Sequence, residues 1–186
     1  MEYVKNKTNI LLYAMDETGM NLEPNNFYTW SPIGKPIPVI KNGNRGGLSF
    51  IGATEITTNY ESTCIAIDKV DSDVVIAFFE YMKKLNPKKI LMFILDNASI
   101  HISSKVKKYL KQVGNRIIPI QLPSYSPKLN PQENIWNQQK RICSQGSVFE
   151  NKEQLIECVG DFYRWIASVP ELVKKWVNWK LYFLSD

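Results

Sequence analysis

The chain has 186 residues, 44% of them hydrophobic and 22% charged, with a formal net charge of +5; this is the makeup of a globular protein, and it excludes wholesale disorder and low complexity. The longest apolar runs, residues 10–15 and 90–95, are six residues each, far short of the roughly twenty that a membrane-spanning helix needs. Three widely spaced cysteines without a CxxC pair, and a single histidine, exclude a disulfide framework, a thiolate zinc site and any chemistry that needs two imidazoles.

In chain order, the first nine residues (MEYVKNKTN) carry no secretory signal, so an intracellular, cytoplasmic location is expected. A first strand is predicted over 9–15, where an apolar run meets Asp16. Short segments rich in aromatic and β-branched residues follow at 27–30, 37–40, 48–54 and 62–67, separated by Gly, Pro and Asn. Asp71 or Ser72 caps a helix that carries Val75, Phe78, Phe79, Met82 and Leu85 at helical spacing, and Pro87 ends it. Residues 90–95 are continuously apolar, the pattern of a strand buried on both faces. A basic helix over 103–113, with Val106, Tyr109, Leu110 and Val113 inward, stops at Gly114. A strand over 117–122, a helix over 131–143 and one or two further helices from Lys152 complete the order. Strands, helix, strand, helix, strand, helices describe an α/β domain with a mixed central sheet flanked by helices.

Charge is unevenly spread. Residues 83–116 hold nine Lys or Arg against one acid, Asp96, an asymmetry that suits a polyanionic partner but also a solvated lysine-rich face. Three carboxylates stand out by position. Asp16 and Asp96 each follow an apolar strand, and open α/β sheets bind ligands at such carboxyl ends; either acid also makes an ordinary turn or cap residue. Glu133 lies at the third position of a helix that starts Asn130-Pro131, where a capping box alone would explain it. On that helix Asn137, Lys140 and Arg141 share the side of Glu133, and Ile135, Trp136, Ile142 and Cys143 take the other.

The stretch DNASIH (Asp96 to His101), then LPSYSPKLNPQENIWNQQKR (Leu122 to Arg141), resembles the DDE transposases of the mariner-like superfamily, in their bacterial insertion-sequence branch. The upstream segment resembles the family's first catalytic block, with Asp16 to Gly19 followed by Trp30, Gly34 and a Pro36 displaced by one. The resemblance implies an RNase H-like fold and a triad of Asp16, Asp96 and Glu133 that is both catalytic and metal-binding. The implied cofactor is Mg²⁺ or Mn²⁺ as two ions, since hard cations take carboxylate oxygens and a pair of them can activate the attacking oxygen and stabilise the leaving one. The implied activity is metal-dependent DNA cleavage and strand transfer on double-stranded DNA, transposon ends and target, with a homodimer as one allowed assembly and no membrane partner.

Asn97, His101, Lys105, Lys108, Lys128, Lys140 and Arg141 are the expected DNA contacts. Relatives carry an N-terminal helix-turn-helix region, and here Asp16 stands about fifteen residues in. The expectation is therefore one catalytic domain over 1–186, without that end-reading region. The rival expectation is a decayed, non-catalytic relative that keeps fold and charge as a DNA-binding or assembly module.

Overall fold

The computed structural model describes residues 9–23, 30–35, 43–123, 126, 129–144 and 147–177. The expected strand over 37–40, most of that over 27–30, and Pro36, Lys128 and Trp179 lie outside the described residues. Five strands, β1 (Ile10–Asn21), β2 (Gly47–Glu55), β3 (Ser62–Ile67), β4 (Ile90–Leu95) and β5 (Ile117–Gln121), form one sheet in the order β3-β2-β1-β4-β5. β1, β4 and β5 run parallel and β2 is antiparallel to both of its neighbours, so the sheet is mixed as expected. The helices are α1 (Ser72–Leu85), α2 (Ser104–Val113), α3 (Gln132–Ser144), α4 (Lys152–Ala167) and α5 (Pro170–Trp176). Among the described residues no helix is long and apolar enough to cross a membrane.

Strand alternation divides the core into two layers. Tyr13, Met15, Phe93 and Leu95 face α1 and α2, burying Phe78, Phe79, Met82 and Val106. Leu12, Ala14, Met20 and Ile94 face α3, α4 and α5. Each layer buries a dozen or more apolar side chains, which holds the central strands β1 and β4 rigidly between them. The caps match the sequence. Asp71 accepts from the N–H groups of Asp73 and Val74, Ser103 from that of Val106, and Gly114 closes α2 at φ +57°.

Two expectations change. β1 does not end at Met15 but runs to Asn21, so Asp16 lies inside the strand. Pairing with β4 stops at Ala14–Ile94, while pairing with β2 continues to Asn21–Gly47. Beyond β4 the strand no longer needs apolar residues on both faces, which is why its polar half did not read as strand. The buried stripe of α3 also differs, for it includes Gln132 and Gln139, whereas Ile142 is exposed. Gln132 Oε1 accepts from Thr54 Oγ1 at 2.7 Å, and Gln139 Nε2 donates to Met20 Sδ at 3.0 Å. One polar atom of each buried amide is met in this way, and hydrophobicity alone does not reveal such partners.

Gly52, opposite Asp16 on β2, explains how closely α3 approaches. A Cβ there would meet Trp136 Cη2 at 2.6 Å and the Thr63 carbonyl oxygen at 2.8 Å. Gly52→Ala is expected to lower stability by about 1–3 kcal/mol through overpacking, measurable as a lower urea midpoint with an unchanged slope.

Candidate active site

The parallel register places the first two acids together. Ala14 pairs with Ile94, so two residues further on Asp16 stands level with Asp96, just past the end of β4. Asp16 continues the alternation of Leu12 and Ala14 and therefore faces the α3 layer. The start of α3 is fastened to the same spot. Asn130, buried in the seam, donates from Nδ2 to the Met15 carbonyl oxygen at 2.8 Å. Its Oδ1 accepts from the Gln132 N–H at 3.2 Å, and its own carbonyl accepts from the Glu133 N–H at 3.1 Å. Asn130 thus caps the helix and ties it to β1 beside Asp16. The Asn130 side chain caps Gln132 rather than Glu133, so the expected capping box is not formed, and the Glu133 side chain is half-buried on the first turn.

Two buried acids of β1 and β2 differ sharply in their surroundings. Glu55, at the end of β2, accepts backbone N–H bonds from Thr57, Thr58, Asn59 and Tyr60. Asp16, 8% exposed, has nothing comparable. Burial pushes its carboxyl up to about 7, the negative charges of Glu133, Glu17 and Asp96 push in the same direction, and the Glu17 N–H relieves it only in part. Among the described residues no three His, Cys, Asp or Glu side chains stand close enough to grasp one ion together.

Asp96 is held on one side. Its Oδ1 accepts from the Ala98 N–H at 2.9 Å and from His101 Nδ1 at 2.8 Å. His101 Nε2 bonds Glu17 Oε1, also at 2.8 Å. Burial opposes the charged imidazole, but the bonds and charges of Glu17 and Asp96 outweigh it and raise its pKa to about 9. Glu17 is a residue that sequence reasoning missed. Its signal was available: strand alternation sends it to the face opposite Asp16, towards the loop that carries His101.

The other expected residues are more scattered. Asn97 Nδ2 donates to the Leu122 carbonyl at 2.6 Å and so ties the ends of β4 and β5 together. His101 is 3% exposed and turned towards two carboxylates, which leaves it no open face for DNA in this arrangement. Lys105 is exposed but pairs with Asp73 at 2.7 Å. Lys107, Lys108 and Lys111 are exposed on the same helix, while Lys140 and Arg141 lie on the outer side of α3 as the projection indicated.

The sheet order, with acids level on adjacent β1 and β4, is that of the RNase H-like fold. Structural comparison agrees: the chain matches the Mos1 strand transfer complex at a TM-score of 0.70, with 16% identity, over 98% of this chain and 53% of that one. It matches the catalytic domain of Mos1 mariner transposase at 0.61, with 12% identity, over 94% and 77%. The profile of the DDE superfamily endonucleases covers residues 11–156, and the chain belongs to that family. It is 24% identical over 160 residues to the insertion element IS630 uncharacterized 39 kDa protein of Shigella sonnei, and 26% identical over 151 residues to the Tc3 transposase of Caenorhabditis elegans. These alignments take in 86% and 77% of this chain but 46% and 44% of the relatives, so the chain spans less than half their length. Together they mark it as a DDE transposase relative of the mariner/IS630 type.

Proposed function

We propose that this chain is the catalytic domain of a transposase, a DNA endonuclease and strand transferase that depends on Mg²⁺ or Mn²⁺, with Asp16, Asp96 and Glu133 as its triad. The observation that carries this reading is the contrast between the two buried acids. Glu55 is met by four backbone N–H groups, whereas Asp16 is buried among other carboxylates with its charge largely unanswered. Such a site favours a proton or a cation, and a set of carboxylate oxygens suits hard divalent ions.

Asp16 and Asp96 Oδ2 would hold the metal, with Glu133 joining through a change of side-chain rotamer at a helix start that stays anchored by Asn130. When bound, a pair of ions would activate the attacking oxygen and stabilise the leaving one. The protein's own contribution is to keep these oxygens level and rigid, to hold Asp16 poised near neutral pH so that a cation can displace its proton, and to offer basic residues to the phosphates. Two solved Mos1 paired-end complexes carry Mn and Mg in their names, which supports the choice of metal. Double-stranded DNA, as transposon end and target, is the proposed substrate.

The test is nicking of supercoiled plasmid in Mg²⁺. The wild-type chain is expected to nick it, and Asp96→Asn to lose the activity by orders of magnitude. Nicking at equal rates by both would overturn the proposal, and tight DNA binding by a wild type that never nicks would favour the non-catalytic module. The basic surface has its own test. Lys108→Ala with Lys111→Ala should weaken binding to any duplex and flatten the log–log salt dependence by about 0.9 per lost phosphate contact. An unchanged slope would return these lysines to a solvated face.

A further inference from the structure

Beyond the triad, the loop after β4 holds a buried imidazole between two carboxylates. We infer that Glu17 and His101 are a positioning pair that orients Asp96, an inference that rests on the reading of Asp96 as a metal ligand. Strand alternation puts the neighbours Asp16 and Glu17 on opposite faces of β1, so Glu17 cannot join Asp16 in the α3 layer. Instead it reaches His101 Nε2 at 2.8 Å, and His101 Nδ1 reaches Asp96 Oδ1 at 2.8 Å. Both acceptors are carboxylates, so each ring nitrogen serves as a donor and the ring plane is fixed at both ends.

The consequence falls on Asp96. Its Oδ1 already takes two donors, His101 Nδ1–H and the Ala98 N–H, whereas no donor to Oδ2 is present among the described residues. The carboxylate is thereby held in one plane with one oxygen committed to the protein and the other left for a ligand. The negative charge of Glu17 offsets the positive imidazole, so the orientation is achieved without subtracting from the net charge of the site. Groups that orient a ligating carboxylate in this way typically change metal affinity by about ten- to a hundredfold. Neither Glu17 nor His101 touches reacting atoms; they act through Asp96.

The experiment measures binding of Mn²⁺ alone, without DNA, by calorimetry on the whole chain, with circular dichroism melts as a folding check. Glu17→Ala and His101→Ala are each expected to weaken Mn²⁺ binding about ten- to a hundredfold, and the double variant no more than either single one. Glu17→Gln keeps an acceptor for Nε2–H and should lose much less than Glu17→Ala. That comparison separates orientation from charge and survives even if His101→Ala fails to fold. Equal losses for Glu17→Gln and Glu17→Ala would mean that only charge matters, and would overturn the inference. Wild-type affinity in Glu17→Ala, alongside lost binding in Asp96→Asn, would also overturn it while leaving the metal site standing. A wild-type chain that binds no Mn²⁺ would remove both together.

Discussion

Glu133→Gln is expected to fold with stability within about 1 kcal/mol of the wild type and to lose Mg²⁺-dependent cleavage by orders of magnitude. The fold half of this expectation follows from the bonds at the start of α3. Asn130 caps the helix and grips the Met15 carbonyl, and Gln132 grips Thr54, so the helix does not depend on the Glu133 carboxylate for its anchorage. What the substitution removes is negative charge, worth about 0.3–1 kcal/mol near a helix N-terminus, and with it the anionic carboxylate that a hard ion binds best, an amide oxygen being left in its place. The charge also acts on Asp16, whose carboxyl it helps to push up. Glu133→Gln should therefore lower the Asp16 pKa, a change that carboxyl NMR titration reads without any metal or DNA. Wild-type cleavage by the Gln variant would strike Glu133 from the triad, and an unmoved Asp16 titration would contradict the proximity of the two side chains.

The second large effect concerns Asp16 itself. Its carboxyl titrates at about 7 in the folded chain against an ordinary value of 3.8, so the folded state binds the proton more tightly than the unfolded one. Stability from this group is therefore lost as pH rises from about 4 to about 7 and is constant above that. The shift corresponds to up to about 4 kcal/mol. Asp16→Asn removes this dependence, and its stability relative to the wild type should grow by up to that amount across the same window. Urea unfolding at pH 4, 5.5 and 7.5 checks the sign. Adding Mn²⁺ at pH 7.5 should stabilise the wild type and leave the variant unchanged, since only the former gains a ligand in the native state. A variant that lost stability relative to the wild type with rising pH would contradict the unmet charge on which the site rests.

Much of this architecture was legible from residue pattern alone. The continuous apolar run of β4, the Asp71 cap and the Gly114 stop each state their role locally, and each appears where it was expected. The resemblance singled out Asp16, Asp96 and Glu133, but it could not show how they meet. That depends on the register of β1 against β4 and on the bond from Asn130 to Met15, both of which are tertiary. The polar half of β1 did not read as strand because its pairing partner β2 tolerates polar neighbours once β4 has ended. His101 read as a DNA contact because a lone histidine gives no hint of its partners; Glu17 and Asp96 are 84 and 5 residues away in sequence. The burial of Gln139 is hidden for the same reason, since nothing local announces the Met20 sulfur that it meets.

The central claim is that Asp16 and Asp96 share a divalent ion. Crystals of the chain grown with Mn²⁺, measured at the manganese absorption edge, test it directly. The expected result is an anomalous peak between the carboxylates of Asp16 and Asp96, bonded to Asp96 through Oδ2 while Oδ1 keeps His101 and the Ala98 N–H, with Glu133 turned towards it. A structure in which Mn²⁺ occupies other carboxylates while Asp16 and Asp96 stay without metal would contradict the account.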